Sequence, residues 1–193
     1  MKKYLILITI LFYVSSYSQS KWISTVELDF VFPNKKDYFY NDSTNRIFDT
    51  ELRDDGFLLN SFGIQADYNY MLLKKISIGA LVGFQTQSKP DYSMLKLGGI
   101  LKYYFIDSDN SYLFLQDANN FSLNKNKFKT GNNLRLGIGF PFFKKKEFNI
   151  NGNFFFEQNF FRLDGTNPLL NLADERPRTL TVKSFGISLG IKF

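Results

Sequence analysis

From Thr25 to Phe193 the chain alternates apolar and polar residues with a period of two, broken by short polar runs. Successive side chains of an extended strand point to opposite faces, so this period predicts strands with one apolar and one polar side. The first sets Val26, Leu28, Phe30 and Phe32 against Thr25, Glu27 and Asp29. The second puts Phe62, Ile64, Ala66, Tyr68 and Tyr70 opposite Ser61, Gly63, Gln65, Asp67 and Asn69. The third alternates Ile76, Ile78, Ala80, Val82 and Phe84 with Ser77, Gly79, Leu81, Gly83 and Gln85, and the fourth sets Leu95, Leu97, Leu101, Tyr103 and Phe105 against Lys96, Gly98 and Lys102.

The fifth segment, residues 111 to 123, fits neither phase throughout and predicts a strand with a bulge. The sixth recovers the pattern with Leu134, Leu136, Ile138, Phe140 and Phe142 opposite Asn133, Arg135, Gly137 and Gly139. The seventh sets Phe148, Ile150, Phe154, Phe156 and Phe160 against Asn149, Asn151, Asn153, Glu157 and Asn159. The last ends the chain: Phe185, Ile187, Leu189, Ile191 and Phe193 alternate with Ser184, Gly186, Ser188, Gly190 and Lys192.

Eight strands of about ten residues are long enough to cross a bilayer at a barrel's tilt. The connections fall into two sets. Residues 34 to 56, 88 to 92, 124 to 131 and 164 to 180 form one; 72 to 75, 107 to 110 and 143 to 147 form the shorter other. An outer-membrane barrel has long loops outside and short turns on the periplasmic side.

The first residues change the picture by setting the compartment. Lys2 and Lys3 precede an apolar run from Tyr4 to Val14, followed by Ser16 and Ser18, which reads as a signal peptide cleaved after Ser18. The run is too short for a membrane-spanning helix. Cleavage leaves 175 residues, one domain covering 19 to 193, with the formal charge lowered from +6 to +4. That balance is too mild and scattered to argue for nucleic acid. The chain has no Cys, so no disulfide framework and no lipoprotein anchor is expected.

Aromatic residues make up 18% of the chain, 23 Phe and 11 Tyr among them, although mean hydropathy is only −0.20. Rings gathered at headgroup level around a polar interior reconcile the two values. A soluble barrel of the lipocalin type also alternates, but it would turn the apolar side inward. An eight-stranded interior holds only side chains, and the glycine, serine and asparagine face fits it better than ranks of Phe.

On the signal peptide, the eight alternating segments and the terminal Phe193, residues 19 to 193 resemble the small eight-stranded outer-membrane β-barrels typified by the OmpA membrane domain and OmpX. The resemblance implies an all-β, eight-stranded, antiparallel up-and-down transmembrane barrel in the outer membrane, with outer-membrane lipid as its surroundings. It further implies that Phe193, with Ile191 and Leu189, forms a signal read by the barrel-assembly machinery. It implies no particular activity, because this architecture carries anchors, adhesins and enzymes alike.

With the apolar side on lipid, the bore would hold Glu27, Asp29, Asp67, Lys96, Lys102, Arg135, Glu157, Lys183 and Lys192. Buried charges are costly unless paired, so these nine are expected to form a mixed-sign network that plugs the lumen; the alternative is a narrow channel or small-solute pathway. Without His or Cys, serine triads, cysteine dyads and imidazole metal sites are impossible. Neither catalysis nor a cofactor nor a metal is expected. The segment from Asp107 begins like a calcium loop but has Ala118 where the bidentate Glu belongs. A role then rests on the long loops 34 to 56 and 164 to 180, in structural support or contact with an extracellular or envelope protein partner. Service as an accessory subunit of an envelope secretion or assembly machine is a further alternative.

Overall fold

The computed structural model describes residues 22–52, 59–124, 126–145, 147–172 and 174–193. The signal sequence and its cleavage point lie outside the described residues, as does part of the first long loop. Among the described residues nine strands run in order: β1 (Trp22–Asn41), β2 (Ile47–Glu51), β3 (Ser61–Leu73), β4 (Ile76–Ser88), β5 (Asp91–Tyr104), β6 (Tyr112–Ser122), β7 (Gly131–Lys144), β8 (Asn149–Arg162) and β9 (Arg176–Lys192). Every neighbouring pair is antiparallel, and β1 also pairs with β9, which closes β1 and β3 to β9 into an eight-stranded up-and-down barrel. Closure leaves none of these eight with a free edge over its paired length.

The alternation sorts side chains as a barrel with a polar bore requires. Thr25, Glu27 and Asp29 point inward and are buried, while Val26 and Leu28 between them are exposed on the outside. The same holds in β9, where Ser184, Ser188 and Lys192 are buried and Phe185, Ile187, Leu189 and Ile191 are exposed. Rings gather at the short-turn end: Trp22 stacks on Tyr68 at 4.7 Å between centroids, and Phe140 meets Phe142 edge-on at 4.8 Å.

Three expectations need correction. β1 does not end at Pro33 but continues to Asn41, with a register shift between Pro33 and Lys35. The shift turns Lys36 and Tyr38 inward where odd-numbered residues had been, so the apolar and polar faces exchange and the pattern looks like a loop. Beyond the shift β1 pairs with both β9 and β2, and β2 lies within the predicted 34 to 56 loop. The connection at 88 to 92 is a tight turn, since Ser88 pairs directly with Asp91. Finally, β6 has no bulge: Tyr112, Phe114, Gln116, Ala118, Asn120 and Ser122 alternate inward without a slip. Its pattern is confused because aromatic Tyr112 and Phe114 face the bore while Asp117 and Asn119 face outward.

Glycines make the inward rings possible. A Cβ on Gly137 would lie 2.5 Å from Phe114 Cζ, and one on Gly186 would lie 2.2 Å from Phe155 Cζ. Both contacts are far inside van der Waals distance, so each ring lies flat against a wall position that must be bare.

Candidate functional site: a cross-braced bore and the loops above it

Arg135 on β7 and Glu157 on β8 are direct partners in register. Their side chains meet at the centre of the bore. Arg135 Nη2 donates to Glu157 Oε2 at 2.6 Å and to Asp29 Oδ2, on β1, at 2.7 Å. Lys96 Nζ reaches across from β5 to Glu157 Oε2 at 2.8 Å. Gln85 Nε2 and Asn159 Nδ2 occupy the other Glu157 oxygen at 3.1 and 2.7 Å, and the guanidinium lies 3.9 Å from the centre of the Phe155 ring. These groups are almost wholly buried, and together they tie five barrel strands, β1, β4, β5, β7 and β8, through the lumen.

Toward the short-turn end a second cluster follows. Lys102 Nζ donates to Asp67 Oδ1 at 2.8 Å and to Thr25 Oγ1 at 3.3 Å. Glu27 is held by neutral donors, Gln65 Nε2 at 3.0 Å and Ser188 Oγ at 3.4 Å. Below these, Tyr104 and Tyr112 pack at 5.4 Å, and Tyr112 Oη donates to Asn153 Oδ1 at 2.8 Å. Toward the long-loop end Asn120 and Asn133 both donate to Asn159 Oδ1 at 2.9 Å. Above that layer the interior becomes apolar: Tyr38, Tyr92, Met94, Phe128, Phe161, Leu163, Leu180 and Val182 form one buried cluster.

Seven of the nine charges read from the sequence thus lie together in the bore: Glu27, Asp29, Asp67, Lys96, Lys102, Arg135 and Glu157. Lys192 points inward but lies at the short-turn end, where it bonds Asp109 Oδ1 at 2.7 Å, apart from the central clusters. Lys183 does not belong to the set. Val182 and Ser184 on either side of it face in, so period two puts Lys183 outside, where it reaches Asp37 Oδ2 at 3.3 Å. Phe193, Ile191 and Leu189 are exposed on the outer face, and the Phe193 backbone bonds Ser24 in both directions.

Sequence reasoning missed the outward Asp117, which lies between Leu115 and Asn119 on its face and opposite Leu134 on β7. It missed Glu175 as well. Glu175 Oε1 accepts from the Tyr38 hydroxyl and from Leu169 N at 2.7 Å, while Oε2 accepts from Leu170 N at 3.1 Å and Leu172 N at 3.2 Å. A carboxylate among backbone amides cannot be recognised from spacing alone.

Burial raises the Glu175 carboxyl, but the Tyr38 hydroxyl and the three amides outweigh it and hold the group below the usual carboxylate range. A depressed carboxyl stabilises the fold fully above its unfolded value, about 4.3, and that contribution is lost as pH falls through the folded value. Glu175→Gln is therefore expected to loosen the β8–β9 connection by about 1.5 to 3 kcal/mol, the range for hydrogen bonds to a charged group. Amide hydrogen exchange at Leu169, Leu170 and Leu172 measures it, and unchanged protection at neutral pH would contradict the clamp.

The fold is shared with outer-membrane barrels. The chain is similar to the outer membrane protein AlkL, solved by solid-state NMR in DMPC lipid bilayers, with a TM-score of 0.56 and 13% identity over 92% of this chain and 90% of that one. Weaker likenesses are to OprG from Pseudomonas aeruginosa, TM-score 0.48 and 11% identity over 89% of this chain and 95% of that one, and to Neisserial surface protein A, 0.47 and 10% over 90% and 96%. No protein-family model and no curated protein matches the chain.

Proposed function

We propose that this chain is a non-enzymatic outer-membrane barrel, whose plugged body is a scaffold that presents loops 34 to 56 and 164 to 180 for contact at the cell surface. The carrying observation is the Arg135–Glu157–Lys96–Asp29 brace, which fills the lumen at mid-height with paired, buried charge. Two further barriers lie in series with it, the Tyr104 and Tyr112 layer below and the apolar cluster around Phe128 and Phe161 above. The lipid-facing belt of Leu, Ile, Val and Phe supports the membrane setting. In this reading Phe193, Ile191 and Leu189 serve the assembly machinery, and the loops meet an extracellular or envelope protein partner. The absence of His and Cys from the whole chain supports a role without catalysis.

Planar-bilayer recording on the pure protein is expected to show no large, steady current; porin-like conductance would overturn the scaffold reading. A narrow solute path has one observation in its favour. Asp29 Oδ1, Gln65 Oε1, Asp67 Oδ2, Gln85 Oε1 and Arg135 Nη1 are buried in the bore without a protein hydrogen-bond partner among the described residues. Small, cation-dependent currents that change with Glu27→Gln would favour that second reading.

A further inference from the structure

On the outer wall of β5, β6 and β7 the apolar belt is interrupted by a polar patch. Asp117 and Asn119 on β6 and Asn132 on β7 all point outward and are exposed, and Asn119 and Asn132 are direct partners in register. The patch does not lie at a rim. Asp117 is the central residue of the 11 in β6, with exposed Leu113 and Leu115 below it and exposed Phe121 and Leu123 above Asn119. The neighbouring strands set Leu97 against Asn119 and Leu134 against Asp117. None of the three polar side chains has a hydrogen-bond or ion-pair partner among the described residues. In hydrocarbon no water replaces a missing partner, so an ionisable group at this depth implies one supplied from outside the chain.

Gly99 sharpens the position. It is the register partner of Asp117 on β5, and outward Ala80 is next across on β4. A Cβ at Gly98 would lie 2.1 Å from the Asp117 carbonyl oxygen, so the barrel itself requires that glycine. A Cβ at Gly99 would meet only Gly79 O, at 3.6 Å, which is an ordinary contact. Packing within the barrel therefore leaves room for a side chain at Gly99, and its bareness opens a notch on the lipid side of Asp117. A glycine of this kind inside a strand is where another backbone or a ligand approaches closely.

We propose that this patch is the docking face for a membrane-spanning segment of another protein, which passes over Gly99 and brings a lysine or arginine to Asp117, beside the Asn119 and Asn132 amides. Charge decides the occupant. A lipid tail offers no donor at all. A second copy offers no free cation at this depth: among the described residues its outward strand cations end their strands, as Lys144 and Arg162 do, or lie beyond the Pro33 shift, where Lys35 and Lys183 both hold Asp37. Two copies meeting here would also bring carboxylate toward carboxylate. The proposal goes beyond the loop-contact reading and rests on its membrane setting.

The test is energy transfer in dimyristoylphosphatidylcholine vesicles from Trp22, the only tryptophan of the chain, to dansyl-labelled leucine–alanine helices of about 20 residues, long enough to span. The helices contain no tryptophan and carry Lys, Leu or Glu at the centre; the barrel is the mature chain, shown closed by heat-modifiable gel mobility. The Lys helix is expected to bind about tenfold tighter than the Leu helix, and Asp117→Asn to remove that preference. Asn119→Leu should weaken Lys-helix binding about threefold, because an ammonium on Asp117 has donors to spare for the neighbouring amide oxygen. Asp117→Leu gives the same reading as Asp117→Asn in a barrel relieved of a polar group in lipid. Equal binding of the Lys and Leu helices, a Lys preference that survives Asp117→Asn, or Glu bound as tightly as Lys would overturn the proposal. So would self-association of the peptide-free barrel that Asp117→Asn abolishes, since a second copy would then be the occupant. All of these leave the membrane reading standing; a barrel that stays out of the vesicles overturns that reading, and the proposal with it.

Discussion

Arg135→Leu is expected to cost about 3 to 5 kcal/mol of barrel stability, the range for removing one partner of a buried ion pair. The substitution leaves Asp29 without its cation and Glu157 with Lys96 as its only one, both in a bore that excludes bulk solvent. It also removes the group lying over Phe155. Arg135→Lys keeps the charge, but one compact ammonium cannot reproduce the fork that reaches two carboxylates, so an intermediate loss is expected. The double substitution of Asp29→Leu with Arg135→Leu is the discriminating one. It removes cation and anion together, leaves Lys96 bonded to Glu157, and should recover most of the loss, because the penalty lies in the unpaired charge more than in the missing pair. Denaturant unfolding of the barrel in lipid vesicles, followed by gel mobility, reads all three. A single variant within about 0.5 kcal/mol of the parent, the range of an ordinary surface change, would mean that the brace carries little.

Why the brace was legible in the sequence and the loop machinery was not follows from geometry. In a strand, facing is decided by parity, so Lys96, Lys102, Arg135 and Glu157 could be assigned to one side from local alternation alone. Parity survives only while the register does. The shift between Pro33 and Lys35 inverts it, which is why Tyr38 at the top of the bore went unread. Lys183 was misassigned for the opposite reason: β9 keeps its phase through Val182 and Ser184, and a lysine between them cannot turn inward. In β6 the difficulty is chemical. The lower bore accepts Tyr112 and Phe114 because Gly139 and Gly137 leave space for them, so an apolar residue there does not mark the lipid side. The Glu175 clamp joins amides of its own connection to Tyr38 on β1, 137 residues away, and no spacing within one segment encodes that last contact.

Leu189→Arg should separate a lipid-facing belt from a merely exposed one. Leu189 is the middle apolar residue of the outward series Phe185 to Phe193, is 50% exposed, and pairs in register with outward Leu28. In water an exposed leucine replaced by arginine would change stability little, since surface substitutions mostly stay within about 0.5 kcal/mol. At the middle of a bilayer the same change costs about 2 to 4 kcal/mol, falling to about 0 to 1 near the interface. Phe105→Arg, in the turn after β5 at the short-turn rim, is the shallow counterpart and should lie at the low end. The expected outcome is therefore a gradient: a large loss of folded fraction in vesicles for Leu189→Arg and a small one for Phe105→Arg. Asp117 gives the gradient a native reference, because it already exposes a carboxylate on that face; Asp117→Leu should raise stability in lipid, by less than the arginine penalty at equal depth. Equal, small effects at Leu189 and Phe105 would place the apolar face in water and overturn the membrane setting, whereas the graded result ties the exposed leucines to hydrocarbon and fixes β9 as a bilayer-crossing strand.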